Sequence, residues 1–198
     1  MSADSLILAS LSPFRAELLK NAGVNFAIEG AQIDERKVEA TFDERSPETI
    51  AINLSQAKAC DVSKRFPSAL IIGCDQTLDF NGQLLHKAAT MEDARQRLLT
   101  LSGKIHYLHS AISLFKNGTH LWSDVSTATM TMRILAPDYI GRYLSRVGQD
   151  VLSSVGAYQI EGEGIQLFDK IEGDSFTIIG LPLLQLLKKL RAMGVIDG

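Results

Sequence analysis

The chain has 198 residues, 45% of them hydrophobic and 22% charged, which fits one ordinary globular domain with a sizeable core. Its net charge is −3, so it lacks the broad basic field of nucleic-acid binders, and any phosphate chemistry needs a local cluster of cations. Cys60 and Cys74 are too few for a disulfide scaffold and lack metal-type spacing; no apolar run approaches a membrane span and no signal-peptide pattern opens the chain, so the expected setting is cytoplasmic, without a membrane partner.

Apolar runs predict strands at 5–9 and 24–29, with a helix over 13–22 between them. Ser46-Pro47-Glu48 opens a longer helix over 47–65. A strand at 69–74 follows, then a small hairpin of 77–80 and 83–86 about Asn81-Gly82. Thr90 and the acidic Glu92-Asp93 start a helix over 91–102, which Gly103 ends. Asn117-Gly118 is the strongest hairpin signal and joins long strands at 105–116 and 120–134; alternation over 126–133 gives the second strand one buried face. Helices over 137–147, ended by Gly148, and over 181–193 complete the pattern. With no repeat, linker or low-complexity tract, residues 1–198 read as a single α/β domain whose sheet is not purely parallel.

Several places carry candidate chemistry. Leu6-Ile7-Leu8 runs through a polar turn into a helix that Ser12 caps and Pro13 opens, so backbone N–H groups face outward beside Arg15. That is an anion site at a strand end, although the same residues also serve a plain capped helix. Ile71-Ile72-Gly73-Cys74-Asp75 puts a carboxylate just past a buried strand, and the bare Gly73 lets something bulky approach. Asp75 reads equally as a turn residue that satisfies nearby N–H groups. Asp34-Glu35 is an acidic pair on a loop, the usual fate of which is solvation, and Lys58 and Lys87 taken singly are ordinary surface lysines. Gly156-Ala157-Tyr158-Gln159-Ile160-Glu161-Gly162 is glycine-rich, as tight turns beside a ligand are, and as plain loops are. His106 and His109, three apart in a strand, face opposite sides and make no metal site, and Cys74 has no base partner.

These segments, in this order from Leu8 to Leu183, resemble the Maf family, the septum-formation-inhibitor-like nucleotide pyrophosphatases. The family's opening motif is Leu-Ala-Ser-x-Ser-Pro-Arg-Arg-x-Glu-Leu-Leu; here Phe14 replaces the first arginine and Arg15 keeps the second. Ile33-Asp34-Glu35, Asp75, Lys58, Lys87 (in His-Lys-Ala rather than Gly-Lys-Pro) and Gly180-Leu181-Pro182-Leu183 match further family positions. The resemblance implies an ITPase-like, Maf-like fold, a long twisted mixed β-sheet with two lobes around a central cleft. It implies hydrolysis of a nucleoside triphosphate at the α–β anhydride, with Asp75 as proton acceptor. Glu35 and Asp75 would hold a divalent cation, Mg²⁺ or Mn²⁺. Ser10, Ser12, Phe14, Arg15, Lys58, Lys87 and Glu161 would bind substrate, and no nucleic acid is expected. A homodimer stays open. Phe14, Gly73-Cys74-Asp75-Gln76 and Glu161 depart from the commoner pattern towards the branch associated with 7-methyl-GTP. A pyrophosphatase for dTTP or UTP, a terminal phosphohydrolase and a nucleotide-binding regulator of cell division without turnover are the alternatives.

Overall fold

The computed structural model describes residues 5–197, and its sheet is organised around strand β3 (Leu70–Phe80). On one side, β1 (Leu6–Leu8) runs parallel to β3, and β2 (Ala27–Ile28) runs parallel to β1. Parallel neighbours need crossover segments. Helix α1 (Pro13–Asn21) supplies the first, and α2 (Glu35–Ala40) with α3 (Pro47–Arg65) the second. The short β4 (Gln83–Leu85) folds back on the far end of β3 as an antiparallel hairpin. After α4 (Met91–Leu101), β3 gains β5 (Ile105–Lys116) on its other edge, followed by β6 (Thr119–Met132) and β7 (Phe168–Glu172), all antiparallel. Helices α5 (Pro137–Val147), α6 (Ser175–Ile179) and α7 (Leu183–Ala192) complete the chain, with 3-10 turns at Gly148–Ser153 and Glu163–Leu167.

The period-2 alternation of strands decides which helix covers which face. Leu6, Leu8, Leu70, Ile72 and Cys74 pack with Leu19 of α1 and with Leu183, Leu186 and Leu190 of α7. The intervening Ile7, Ala9 and Ile71 pack on the opposite face against Ala59 and Val62 of α3. Further along, Leu78 and Leu108 join a separate cluster with Leu98, Leu101, Met130, Ile140 and Tyr143. The two ends of β3 therefore belong to different cores, and Asp75, Gln76 and Thr77 lie between them.

One edge of β3 is also left open at that point. It pairs with β1 through residues 70–72 and with β4 through residues 78–80, so residues 73–77 meet no strand there. Exposed backbone groups at such a gap need other partners. Arg15 supplies one, donating from Nη1 to the Cys74 carbonyl at 3.1 Å.

Most expected elements appear within a residue or two, and the caps explain why. Ser12, Ser46 and Thr90 cap α1, α3 and α4 with their side chains, Thr90 in a reciprocal box with Asp93. Asn81-Gly82 and Asn117-Gly118 both adopt positive φ, as tight hairpins require. The expected break after residue 74 is absent. Continuous pairing with β5, from Ile71↔Phe115 to Asp79↔Tyr107, makes 70–80 one strand, and Asp75 sits inside it rather than past its end. β2 is shorter than the run 24–29, and α7 starts at Leu183 with Pro182 as its cap. Helices α2 and α6 and strand β7 have no counterpart in the sequence reading. α2 buries no residue and so shows no apolar period, and β7 is an edge strand with only partial burial. No described helix is long and apolar enough to cross a membrane.

Gly73 lets β3 and α3 touch. A Cβ built there would lie 2.1 Å from the Ser55 carbonyl oxygen and 2.7 Å from Ala59 Cβ. Both neighbours belong to the fixed body of a 19-residue helix. We expect Gly73→Ala to cost about 3 kcal/mol in urea unfolding, at the upper end for overpacked interiors. A loss below about 0.5 kcal/mol, within the usual surface range, would show that α3 shifts freely.

Candidate active site

The start of α1 is held by a small polar knot. Ser12 Oγ accepts the Arg15 N–H at 3.4 Å, and Ser10 Oγ accepts the Ser12 N–H at 3.3 Å and Arg15 Nη1 at 3.2 Å. Arg15 Nε donates to the Gly180 carbonyl at 2.8 Å. Gly180 ends α6 with φ near 113°, which only glycine adopts without strain, so α6 turns away just where its carbonyl receives the guanidinium. Arg15 is thus locked between β3 and α6, at the N-terminal end of α1. Ser10 is buried and supports Arg15 from beneath; it does not line the cavity.

The centre of the site is a shared ammonium. Lys58, projecting from α3, lies 2.6 Å from Asp75 Oδ1 and 3.0 Å from Glu35 Oε1. Asp75 and Lys58 are 6% and 9% exposed, so this pair is sheltered from water, while Glu35 is half-exposed at the first position of α2. Asp34, the other half of the acidic pair, caps α2 by accepting the Lys37 N–H at 3.2 Å. Burial pushes the Asp75 carboxyl above the usual carboxylate range, against the opposing pull of Lys58 and Arg15. Burial likewise pushes the neighbouring Cys74 thiol up to about 11, so it is inert as a nucleophile near neutral pH.

These residues face a cavity of about 410 Å³, a nucleotide-scale volume, lined by Ser12, Phe14, Arg15, Glu35, Lys58 and Asp75 on one side. Lys87 and Glu161 line it from the other, so the structure brings together every expected site residue except Ser10. Lys87 follows β4 at the rim. Partial burial lowers its pKa from the ordinary lysine value, and the charges of Arg15 and Lys58 lower it further. Phe14 is half-buried, and Glu161 is exposed in the loop after the first 3-10 turn.

Several lining residues were not singled out from the sequence as site residues: Arg36 and Glu39 on α2, His86 beside Lys87, and Gln76. Glu39 Oε1 stands 3.6 Å from His86 Nε2, linking α2 to the segment after β4. Since α2 has no apolar period, no pattern in the sequence put these side chains together. Gln76 is the more informative. Its Nε2 donates to Ser110 Oγ at 2.9 Å and to the carbonyls of Thr177 and Ile178 at 3.1 and 2.9 Å. Two of those partners only accept, so the orientation of the amide is fixed, and Oε1 is the atom free to accept from a ligand.

Glu35 and Asp75 fit a hard cation as far as donor chemistry goes. Lys58 engages Oε1 of one and Oδ1 of the other, so each carboxylate keeps a second oxygen outside the ion pair. Two carboxylates suffice only for an ion that keeps waters or adds ligand oxygens, which is the habit of Mg²⁺. Among the described residues no cluster of three or more His, Cys, Asp or Glu is placed to hold a metal.

A buried catalytic-type carboxylate, four cations and a helix N-terminus around one cleft define a protein built to handle a small polyanion. The family model for Maf-like protein matches residues 5–193, and the chain belongs to the Maf family. Among curated relatives, the 7-methyl-GTP pyrophosphatase of Bartonella henselae is 59% identical over 198 residues, covering 100% of both chains. The proteins of the same name from Mesorhizobium japonicum and Brucella suis are 55% and 57% identical, each over 98% of this chain and over 99% and 98% of their own. Among solved structures, a HAM1 protein from Coxiella burnetii aligns with a TM-score of 0.43 and 16% identity, over 65% of this chain and 73% of that one.

Tyr158 also lines the cavity; its OH meets His106 Nε2 at 2.7 Å, and His106 Nδ1 is buried with no partner among the described residues. Burial, reinforced by the charge of Arg97, holds the His106 imidazole down to about 4. The unfolded chain binds a proton at an ordinary histidine as pH falls through 6.5, and the folded chain refuses it until about 4. His106 therefore withdraws stability across that window, by up to about 3 kcal/mol at its acid end. Urea unfolding between pH 7.5 and 4.5 should show wild type losing more stability than His106→Gln. Parallel curves would contradict a buried neutral imidazole.

Proposed function

We propose that this protein is a nucleoside triphosphate pyrophosphatase that converts 7-methyl-GTP to 7-methyl-GMP and pyrophosphate. The observation that carries the reading is the Lys58 ammonium held between Glu35 and a buried Asp75 at the foot of a cationic cleft. The names of the full-length relatives support the same reading. The triphosphate lies along Arg15, Lys58, Lys87 and the first turn of α1, which together offset its four negative charges. Asp75 Oδ2 takes a proton from water, the water oxygen bonds to the α-phosphorus, and the bond to the bridging oxygen breaks to release pyrophosphate. A carboxyl raised by burial is a stronger base than a solvated one, and Lys58 keeps Oδ1 fixed while Oδ2 receives the proton.

Mg²⁺ or Mn²⁺ held by Glu35 and Asp75 would supply further charge neutralisation at the phosphates. The described chain reads as one catalytic domain, and its two free cysteines suit a reducing, cytoplasmic compartment.

Base choice follows from hydrogen-bond polarity. Guanine presents two adjacent donors, N1–H and the exocyclic amine, and Gln76 Oε1 and the Glu161 carboxylate are acceptors in the cavity lining. A 7-methylated guanine is cationic, and the Phe14 ring offers it a cation–π contact worth about 0.5–2 kcal/mol. Uracil and thymine lack the paired donors and the charge.

Two measurements test these roles. Asp75→Asn should lower turnover by roughly 10²–10⁴-fold, the usual scale for a lost general base, with the thermal midpoint unchanged within a few degrees because Lys58 keeps Glu35. Near wild-type turnover would remove Asp75 from the mechanism. Catalytic efficiency should rank 7-methyl-GTP above GTP, and GTP above UTP and dTTP, with Glu161→Gln narrowing the gap. Pyrimidine triphosphates as better substrates would overturn the base assignment.

A further inference from the structure

Two stretches of cavity wall come from distant parts of the chain. His86 and Lys87 follow β4, and Ser154, Val155 and Glu161 belong to the loop after the first 3-10 turn. One side chain, Arg97 of α4, reaches both. Its Nη1 donates to the Val155 carbonyl at 2.5 Å and its Nη2 to the His86 carbonyl at 2.8 Å. Arg97 is partly buried behind the wall and does not line the cavity itself. The His86 carbonyl lies just past the last β4 ladder residue, Leu85, and Val155 is in a loop, so neither has a strand partner to accept from.

The loop that follows Val155 needs ties of this kind. Ala157 has φ near 59°, a conformation that costs a non-glycine residue energy and persists only when neighbours impose it. Gln159 Nε2 holds the inner side of the loop to the Asp150 carbonyl at 3.1 Å and to Ser153 Oγ at 3.0 Å. These bonds tie the loop only to the 3-10 turn that precedes it. The Arg97 bonds join it to the segment that presents Lys87.

We infer that Arg97 is a positioning residue that fastens the Lys87 segment to the 154–161 loop, so that phosphate binding at one wall orders the base-facing residues of the other. What the two walls bind rests on the pyrophosphatase reading; the fastening itself does not. Two N–H groups in a rigid planar fork meet two carbonyls at once, and a lysine ammonium, a single point charge on a flexible stem, does not reproduce that geometry.

The test measures amide hydrogen exchange over residues 84–88 and 153–161 in wild type, Arg97→Lys and Arg97→Ala, with and without inorganic pyrophosphate. In both variants exchange should accelerate together in the two segments, by about tenfold or more, while β1 and β6 stay unchanged. Pyrophosphate should slow both segments in wild type but only 84–88 in Arg97→Lys. kcat/KM on 7-methyl-GTP should fall roughly 10–100-fold, its preference over UTP should narrow, and methylguanidinium should restore part of the activity of Arg97→Ala. Acceleration in one segment alone, or pyrophosphate protection of both segments in Arg97→Lys, would overturn the inference. If both variants fail to fold, wild type still decides it: pyrophosphate protection confined to 84–88 overturns it. Wild type that turns over no nucleotide would refute the functional reading and leave the exchange result to judge Arg97.

Discussion

Everything around the cleft depends on one ammonium shared by two carboxylates. Lys58 is brought to Asp75 by the close approach of α3 to β3 at Gly73, and to Glu35 by the start of α2. Removing both carboxylates would strand the ammonium, typically at several kcal/mol, whereas either one alone keeps it partnered. Burial raises the Asp75 carboxyl towards its neutral form, while Lys58 and Arg15 pull it back towards the charged one. That balance suits a group that must accept a proton and later release it. Glu35, half in solvent, keeps Lys58 partnered whichever protonation state Asp75 adopts.

The fold provides the place for this arrangement by interrupting a sheet edge. β1 leaves β3 at residue 72 and β4 rejoins it at residue 78, and the five residues between carry Asp75 and Gln76. Alternation sends Asp75 towards α3 and Gln76 towards α6, so one short stretch of strand presents a carboxylate from one face and a fixed amide from the other. Arg15 closes the gap by bonding both the Cys74 and Gly180 carbonyls. The apolar clusters lie on either side, which leaves the polar stretch of β3 to face the cavity.

Much of this was legible from local signals. Caps at Ser12, Ser46 and Thr90, and the two Asn-Gly turns, place elements almost to the residue, because each satisfies backbone groups locally. The position of Asp75 inside β3 was not legible. Gly73 and the polar residues after it weaken local strand propensity, and only pairing with the long β5 carries the strand through. Helix α2 was hidden because it buries nothing. The lysines could be named only by resemblance, since a lone lysine in a helix carries no mark of its partner. The role of Arg97 lies beyond any pattern, because its two acceptors are backbone carbonyls 58 and 11 residues away.

The claim that Asp75 directs water to the α-phosphorus, rather than to a terminal phosphate, is tested most directly by the fate of solvent oxygen. Hydrolysis of 7-methyl-GTP in ¹⁸O-labelled water should place one labelled oxygen in the nucleoside monophosphate and none in the released pyrophosphate. Label in pyrophosphate, or in orthophosphate released beside a nucleoside diphosphate, would contradict the account.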